Sequence, residues 1–400
     1  MKKICFLTDS LFTIGGVQRV TAVVAQALAA DYAVTVVTFD RRASADLSLY
    51  GLGSSAVAYR FFSYPRAGRL KTLVSKTYSA LYRKLRLPWR WASQLYGRSS
   101  FPSELRMALA HELRQGGYDV IVGVHAPLAV RLATCRPLLG GARLVGWIHN
   151  SFDALYGSGS RYVGPELRRH YMYQLEQLDA TVVLSRADAR RYPFATRVIY
   201  NPLTLRPCAP SSGQSHRFLA VGRFTPLHKG FDLLIEAFAL FAQEERQWQL
   251  DIVGEGPEEP LYRQMIARAG LQQRIHLHPF THDIQRHYTG AQVFVLASRW
   301  EGMPLVLVEA MSHGLPVVAS DLPVCREVMA DAALYFPVGD SVRLARCLHE
   351  ATRFDWPARS AAALSTARRF DLRHCVEQWH DVIEGRADGE AYVSASAVKA

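Results

Sequence analysis

Short apolar runs and helix-spaced segments alternate twice along this chain of 400 residues. Runs of strand length near 4–9, 34–39 and 119–124 are separated by stretches whose apolar residues recur at helical spacing. A second series begins near 217 and continues to about 336. Strands that alternate with helices form parallel sheets covered by helices on both faces. The expected fold class is therefore α/β, with two doubly wound, Rossmann-like domains facing each other across a ligand cleft.

A polar stretch after Asn201 and Pro202 marks the expected boundary between the two domains. We expect an N-terminal domain over 1–205, which carries a basic amphipathic insert over 60–106, and a C-terminal domain over 206–370. Beyond Arg386 the residues are small and polar, which predicts a flexible tail over 387–400.

Most of the formal net charge of +12 lies in the expected insert. Eleven Lys or Arg residues and one acid, Glu104, occur between Arg60 and Arg106, whereas the rest of the chain is nearly balanced. Apolar residues recur at helical spacing over 70–85, and basic residues cover much of the remaining helix surface. The cationic and aromatic side chains that mark this element are Lys71, Lys76, Arg83, Lys84, Trp89 and Trp91.

Two interpretations of the basic helix stay open. A helix of this kind can lie on an anionic membrane surface, with its apolar side chains in the interface. Alternatively, its apolar stripe packs on the domain and its basic face is only solvated. Nucleic acid is not an expected partner, because no recognised nucleic-acid-binding motif accompanies the charge.

The cysteines and the hydropathy favour an intracellular location. Six cysteines are scattered without a C-x-x-C pair, which favours a reducing compartment over a disulfide framework. No run of about 18 apolar residues predicts a membrane-spanning helix. We expect a cytoplasmic protein, with peripheral attachment to the inner face of the cell membrane as the further alternative.

The segment 299–311 holds two carboxylates, Glu301 and Glu309, around a Gly-Met-Pro turn. An apolar strand precedes this turn and an apolar helix follows it, so the turn opens a helix N-terminus. Free N–H groups and the positive end of the helix dipole favour an anionic ligand there. Glu301 in the loop and Glu309 about two turns along the helix can reach different ends of one elongated ligand. Taken alone, the two acids are better explained as surface charges, so their context decides.

Arg223 and Lys229 follow the first strand of the second series, at the edge where ligands of parallel sheets bind. Arginine offers a fork to phosphate oxygens and lysine a compact charge, so together they can neutralise a diphosphate without a metal. The chain has no Asp-x-Asp pair, and we expect neither a metal site nor a cofactor. Gly254 marks a similar turn after a strand, and His149 follows a strand of the first domain.

These motifs together resemble the retaining glycosyltransferases of family 4, which have the GT-B fold. The resemblance rests on Gly15-Gly16, Gly222-Arg223-Phe224, Lys229-Gly230, Gly254-x-Gly256 and the segment 301–309. It extends over roughly 3–383 and is densest over 218–328.

The resemblance implies a role for each matched residue of the second domain. Arg223 and Lys229 would hold the donor diphosphate, and Glu309 would bind the ribose hydroxyls. Glu301 would contact the transferred sugar, and Gly254 would let the backbone approach the donor. The donor-binding turn would comprise Gly302, Met303, Pro304 and Leu305, whose N–H groups from Met303 onward would meet the sugar and the phosphates.

In the first domain, the resemblance implies that Gly16 lets a loop close over the diphosphate. His149 would stabilise developing positive charge on the sugar. The family often has Asp after this histidine, but this chain has Asn150, so no carboxylate role is implied there. The basic segment 60–106 lies on the acceptor side, and the final helix over 371–386 would pack back on the N-terminal domain.

The implied function is metal-independent transfer of a hexose-type sugar, with retention, from a nucleotide-diphosphate donor. A UDP-sugar is the favoured donor, and a glycan or lipid-linked acceptor in cell-surface polysaccharide or lipopolysaccharide biosynthesis is the expected partner. Transfer of mannose from a GDP-sugar and nucleotide-sugar epimerisation on the same fold are the alternatives within enzymes. Outside enzymes, the alternative is a membrane-surface scaffold with a vestigial nucleotide site.

Overall fold

The chain forms two compact units in a computed structural model. The first unit comprises Met1–Asn201 and Leu372–Ala400, and the second comprises Pro202–Asp371. The structure describes residues 1–66, 69–157, 160, 162–205, 209–386 and 391–392, and the side chains of 69–75, 391 and 392 lie outside this description. The division after Asn201 lies four residues before the boundary that the sequence predicts. Apart from residues 391–392, the predicted tail lies outside the described residues, as does Cys208.

The first unit alternates strands and helices around one sheet. Its elements are β1 (Lys3–Thr8), α1 (Gly16–Leu28), β2 (Ala33–Thr38), β3 (Ala58–Phe61), α2 (Arg69–Leu85), α3 (Arg90–Ser100), α4 (Ser103–Gly116), β4 (Val120–Val124), α5 (Ala126–Cys135), β5 (Arg143–Trp147), α6 (Phe152–Tyr156), α7 (Arg168–Leu175), β6 (Ala180–Val183), α8 (Arg186–Ala189) and β7 (Thr196–Val198).

The second unit repeats the pattern. Its elements are β8 (Arg217–Val221), α9 (Phe231–Phe241), β9 (Gln249–Val253), α10 (Glu259–Arg268), β10 (Ile275–His278), α11 (Gln285–Gly290), β11 (Val293–Leu296), α12 (Leu305–Ser312), β12 (Val317–Ser320), α13 (Pro323–Met329), β13 (Ala333–Phe336), α14 (Ser341–Ala351) and α15 (Trp356–Ala367). The chain then returns to the first unit through α16 (Leu372–Glu384) and β14 (Ala391–Tyr392).

Both sheets reverse their strand order beside their first strand. The first sheet has the order β14-β7-β6-β5-β4-β1-β2-β3, and all its pairings are parallel except that of β14 with β7. The second has the order β10-β9-β8-β11-β12-β13 with parallel pairings throughout. In such sheets, ligands bind beyond the carboxyl ends of the strands at the point where the order reverses. These points lie between β1 and β4 and between β8 and β11.

Each unit has its own apolar core, and the last helix belongs to that of the first unit. In the second unit, Phe218, Phe238 and Phe241 are fully buried between the sheet and α9. In the first unit, the fully buried Trp379 of α16 packs edge-on against Trp147 of β5, with ring centroids 4.8 Å apart. Helix α16 therefore packs within the first unit, although the second unit precedes it along the chain.

The boundaries of the expected insert over 60–106 are wrong. Residue 60 lies inside β3, which pairs with β2 as an edge strand of the first sheet. Residue 106 lies inside α4, whose Leu109 and Leu113 are part of the core. The segment is therefore part of the domain framework at both ends.

Candidate functional site

Three turns of the second unit meet at the reversal point between β8 and β11. Gly230, which precedes α9, has φ of +65°, and a Cβ there would lie 2.0 Å from the carbonyl oxygen of Ala297, just beyond β11. A Cβ on Gly254, beyond β9, would lie 1.9 Å from the carbonyl oxygen of Gly222, beyond β8. Only glycine permits both approaches. The close packing of these turns brings Lys229 and Glu301 together from positions 72 residues apart.

Lys229 and Glu301 form a nearly buried ion pair. The Lys229 ammonium donates to Glu301 Oε1 at 2.7 Å, and the Ser298 hydroxyl donates to the same oxygen at 2.6 Å. The two charged side chains are 15% and 7% exposed. Burial alone would raise the pKa of Glu301, but the charges of Lys229 and His228 and these hydrogen bonds hold that pKa below its usual value. Glu301 is therefore an ionised, fixed acceptor.

The loop that carries Glu301 is fastened to the loop that carries Lys229. Arg299 donates to both oxygens of Asp232, at 2.9 and 2.7 Å, and to the carbonyl of Leu227 at 2.7 Å. Hydrogen bonds to Asp232 raise the pKa of Arg299. Next to this bridge, the ring of His228 stacks on Trp300 at 4.8 Å and donates from Nε2 to the Trp300 carbonyl at 3.0 Å. These contacts preset the relative positions of the two loops.

Arg223 and the start of α12 complete the polar part of this site. Arg223 is exposed, and among the residues that the structure describes none hydrogen-bonds or ion-pairs with its guanidinium. Pro304 caps α12, which begins at Leu305, so the first N–H groups of the helix follow the turn from Gly302 to Met303. An exposed guanidinium, an ammonium and a helix N-terminus on one side of a sheet edge suit a ligand that carries several negative charges.

Glu309 lies on the second turn of α12 and is only 2% exposed. The hydroxyl of Tyr288 donates to Glu309 Oε2 at 2.8 Å. The Tyr288 ring stacks on His313, which itself bonds to the carbonyl oxygen of Glu309 through Nδ1 at 2.7 Å. The carboxylate is thus held by groups from its own helix and from α11. Glu301 and Glu309 are buried, which excludes the interpretation of either as an ordinary surface acid.

In the first unit, His149 lies beyond β5 and is 6% exposed. Among the residues that the structure describes, none hydrogen-bonds with either of its ring nitrogens. Burial, together with the neighbouring His125, holds the pKa of His149 well below its usual value. His149 is therefore a neutral imidazole whose donor and acceptor are both unused, which is costly for a buried polar group unless a ligand satisfies them.

His125 is a candidate that the sequence did not reveal. It follows β4 at the reversal point of the first sheet, and its ring centroid lies 5.4 Å from that of His149. Its backbone has φ of 74° and ψ of 151°, a region that almost only glycine adopts. Burial lowers the pKa of His125 to about 4. Backbone strain of this kind concentrates at ligand-binding positions.

Gly16 is the first residue of α1 and follows the loop after β1. The Gly15 N–H donates to the Tyr50 hydroxyl at 3.0 Å, and this hydroxyl donates to the carbonyl of Thr13 at 3.0 Å. Tyr50 therefore ties both sides of the loop to the chain beyond β2. The structure places Gly16 at the start of α1, beyond the carboxyl end of β1.

The basic segment presents two kinds of surface. Tyr82 and Tyr96 are buried and stack on each other at 4.5 Å, which fastens α2 to α3. Leu81 and Leu85 are half exposed, and so are Trp89 and Trp91, whose rings stack at 5.8 Å. Lys76, Arg83 and Lys84 are exposed, whereas the side chain of Lys71 lies outside the described residues. The predicted apolar stripe is thus split into an inward and an outward part.

Comparison with known families supports one assignment for both units. Residues 14–206 match a family model described as Glycosyltransferase Family 4, and residues 215–353 match one described as Glycosyl transferases group 1. The chain belongs to the family 4 glycosyltransferases. The predicted fold class is confirmed as well: two parallel-sheet, Rossmann-like units of the GT-B type.

Individual relatives of this family 4 chain are distant. A Haemophilus influenzae protein described as an uncharacterized glycosyltransferase is 26% identical over 329 residues, 80% of each chain. A GDP-mannose:cellobiosyl-diphosphopolyprenol alpha-mannosyltransferase of Xanthomonas oryzae is 30% identical over 211 residues, 48% of this chain and 54% of its own. The crystal structure of Anabaena HepE with UDP and glucose has a TM-score of 0.72 at 21% identity, over 96% of this chain and 100% of that one.

Several residues of the site could not be found from sequence. Asp232 on α9 meets Arg299 across 67 residues of chain, and Tyr288 on α11 meets Glu309 on α12. Ser298 acts within the turn itself, three residues before Glu301. The only local signal is that Ser298 and Arg299 adjoin the predicted turn.

Within the described residues, no helix is both long and apolar enough to cross a bilayer.

Proposed function

We propose that this family 4 glycosyltransferase transfers a hexose-type sugar from a UDP-sugar, with retention of the anomeric configuration, to a glycan or lipid-linked acceptor. The observation that carries the proposal is the set of Lys229, Glu301 and Ser298 at the reversal point of the second sheet, beside the N-terminus of α12. In this arrangement, Lys229 and the N–H groups at the start of α12 are available to a diphosphate. Glu301 is a fixed acceptor for the hydroxyls of the sugar. Cell-surface polysaccharide or lipopolysaccharide biosynthesis is the proposed setting.

In this mechanism, the main barrier is the separation of the diphosphate from an oxocarbenium-like sugar. Arg223, Lys229 and the start of α12 stabilise the leaving charge, and fixed dipoles of this kind often supply the largest catalytic contribution. The ammonium of Lys229 exchanges part of its contact with Glu301 for a phosphate oxygen. The leaving oxygen takes the acceptor proton as the acceptor hydroxyl attacks on the same face, so retention needs no separate protein base.

Glu309 and His149 bind the ends of the substrate. Glu309, oriented by Tyr288, accepts hydrogen bonds from the ribose hydroxyls. His149, neutral and with both ring nitrogens unpaired, contacts the transferred sugar and helps to stabilise its developing charge.

The reaction needs no metal in this proposal, since Arg223 and Lys229 balance the diphosphate charge. Transfer rates that are unchanged by EDTA would agree with it, and a loss that Mg²⁺ restores would contradict it.

The direct test uses Lys229→Ala and Glu309→Ala, with Glu350→Ala on α14 as the matched control. Both site variants should lose most turnover with a UDP-sugar, and their donor dissociation constants should rise about tenfold, the effect of losing a charge-assisted hydrogen bond. Unchanged donor affinity and turnover in both variants would remove the assignment. Transfer to an added acceptor separates this function from nucleotide-sugar epimerisation and from a scaffold without activity.

GDP-mannose is the second candidate donor. The Xanthomonas oryzae relative, which matches about half of this chain, is described as using it. HepE, which shares only the fold at 21% identity, was solved with UDP and glucose. Thermal shifts with UDP, GDP and their sugars decide between the two bases. A larger shift with GDP than with UDP would replace the uridine assignment.

The membrane contact of the acceptor side is part of the proposal. Trp89 and Trp91 lie exposed beside the basic residues of α2, an arrangement that suits an anionic bilayer interface. We expect the protein in the cytoplasm, peripheral on the inner face of the membrane. The double variant Trp89→Ser/Trp91→Ser should reduce sedimentation with phosphatidylglycerol vesicles, whereas Leu240→Ser on α9, which removes a similarly exposed apolar side chain, should not. Equal sedimentation of both variants would contradict this contact.

A further inference from the structure

A cavity that is open to solvent lies between α3, α5 and α7 of the first unit. Its volume is about 160 Å³, whereas a single buried water needs about 10–15 Å³. Three arginines line it, Arg90, Arg98 and Arg136, together with the amides of Gln94 and Gln174, and its lining includes no carboxylate. The cavity is therefore large enough for a phosphate group and carries donors on several sides.

The cavity is separate from the carboxyl edge of the first sheet. Helix α5 begins beside His125 at that edge and ends at Cys135, next to Arg136. Ten helical residues span about 15 Å. The arginine at the far end of α5 thus lies well away from His125 and His149, so the mechanism proposed above does not use this cavity.

The three guanidinium groups differ in how far their charges are already balanced. Arg90 pairs with Glu176 at 3.0 Å, and Arg136 pairs with Asp179 at 2.8 Å. Arg98 is exposed and has no hydrogen-bond or ion-pair partner among the residues that the structure describes. The Nε–H of Arg136 is buried without an acceptor. One net positive charge and an unused donor remain for a bound anion.

Helix α3, which forms one wall of the cavity, begins beside the exposed tryptophans. The Tyr173 hydroxyl donates to the carbonyl of Pro88 at 3.1 Å, and the guanidinium of Arg90 lies over the Tyr173 ring at 5.4 Å. Arg90 separates Trp89 from Trp91 in sequence. A headgroup in the cavity would therefore lie next to the side chains proposed to enter the bilayer interface.

We propose that this cavity binds the phosphate of an anionic lipid headgroup. Arginine presents paired donors that match phosphate oxygens, and Gln94 and Gln174 add neutral donors for the ester and glycerol oxygens. The choice of a lipid rests on the membrane contact proposed above, but not on sugar transfer. A free phosphate ion offers the same chemistry and is distinguished by the test.

The test is calorimetric titration of the full chain, without vesicles, with dihexanoyl phosphatidylglycerol below its micelle concentration. Dihexanoyl phosphatidylcholine and inorganic phosphate are the comparison ligands. We expect phosphatidylglycerol to bind, phosphatidylcholine to bind much more weakly, and Arg98→Gln to weaken the phosphatidylglycerol complex about tenfold, the effect of one charge-assisted hydrogen bond. Gln94→Trp, which places a larger side chain in the lining of the cavity without changing its charge, should also weaken the binding of phosphatidylglycerol.

Arg114→Gln on α4 is the matched control, because it removes an exposed arginine of the same unit outside the cavity. An equal loss in this control, or no binding of phosphatidylglycerol to the native chain, would overturn the proposal. Binding of inorganic phosphate without phosphatidylglycerol would keep the phosphate site and remove the lipid. Because no vesicle or sugar donor is present, failure here is distinct from failure of the Trp89 and Trp91 test or of the transferase test.

Discussion

At the scale of single residues, Lys229 and Glu301 meet two opposing demands. In the free protein they neutralise each other in a place where an unpaired charge is costly. When an anionic donor binds, Lys229 has to share its charge while Glu301 keeps the hydrogen bond from Ser298. The ion pair therefore allows both charges to stay buried in the folded protein before the donor binds. Its contribution to the free energy of unfolding can be measured separately from its contribution to turnover.

Removal of Lys229 alone should be more harmful to stability than removal of both charges. Lys229→Ala leaves Glu301 buried without a cation, and breaking such a pair costs about 3 kcal/mol. The double variant Lys229→Ala/Glu301→Gln should regain at least about 1 kcal/mol of this loss, because interacting residues are not additive. Equilibrium urea unfolding measures both free energies. Losses that simply add would show that the two charges are not coupled.

At position 125, a glycine variant should be more stable than an alanine variant, which is the reverse of the usual order. In an ordinary position, glycine is less stable than alanine by about 0.5–1 kcal/mol. At the φ and ψ of His125, alanine retains a strain of about 1–3 kcal/mol that glycine lacks. His125→Gly should therefore unfold at a higher temperature than His125→Ala, which thermal unfolding of the two variants measures. An alanine variant as stable as the glycine variant would argue against stored strain.

At the scale of elements, the sequence predicted those that carry strong periodic patterns. Most strands of both sheets were predicted, because a short apolar run bounded by turn residues is typical of a buried strand. The edge strand β3 was missed, since its four residues, Ala-Tyr-Arg-Phe, mix polar and apolar character and only its pairing with β2 defines it. In α2, spacing grouped Leu81 with Tyr82, but only the packing of α3 decides which of them is buried.

The candidate site shows the same limit. The sequence singled out Lys229, Glu301 and His149 because each lies in a turn next to a strand or helix, and Glu309 because it follows such a turn along α12. Asp232 and Tyr288 carry no local signature, since the partner of each lies on an element that reaches it only in the folded second unit. Local patterns thus indicate candidate ligand-binding groups more readily than the groups that hold them in place.

The bridge between Arg299 and Asp232 should matter for donor use because it joins the loop that carries Glu301 to the first turn of α9. Arg299→Lys keeps the charge but loses the paired hydrogen bonds, and kcat/KM for the donor should fall about tenfold, as for one charge-assisted hydrogen bond. Arg263→Lys is the matched control, since Arg263 also donates two hydrogen bonds to a carboxylate, that of Glu259 one turn earlier on α10, and joins no separate elements. Combining Arg299→Lys with Asp232→Asn should cost no more than either change alone. A tenfold effect in the control would contradict a specific role.

At the scale of the whole molecule, acid should weaken the first unit through its buried histidines. Burial lowers the pKa of His125 and of His170 to about 4, and that of His149 falls well below its usual value. Below about pH 6.5, the unfolded chain protonates these rings while the folded chain does not. The stabilisation that these neutral histidines provide is therefore complete at pH 7.5, and it is lost as the pH falls from about 6.5 towards 4.

The measurement is the urea midpoint at pH 7.5 and at pH 5.0. We expect the midpoint of the native chain to fall, and that of His149→Asn to fall less, because this variant lacks one of the protonating rings. The exposed His111 supplies the control variant His111→Asn, whose pH response should equal that of the native chain. An equal fall in all three proteins would assign the acid sensitivity to other groups.

The return of the chain to the first unit through α16 has a consequence for synthesis on the ribosome. The strands of the first unit emerge early, but Phe6 and Trp147 have no Trp379 to cover them until residue 384 has left the exit tunnel. The second unit, Pro202–Asp371, is by then complete. We therefore expect the second unit to complete its folding before the first, although it is synthesised later, and we expect the sheet of the first unit to be the one that a chaperone protects.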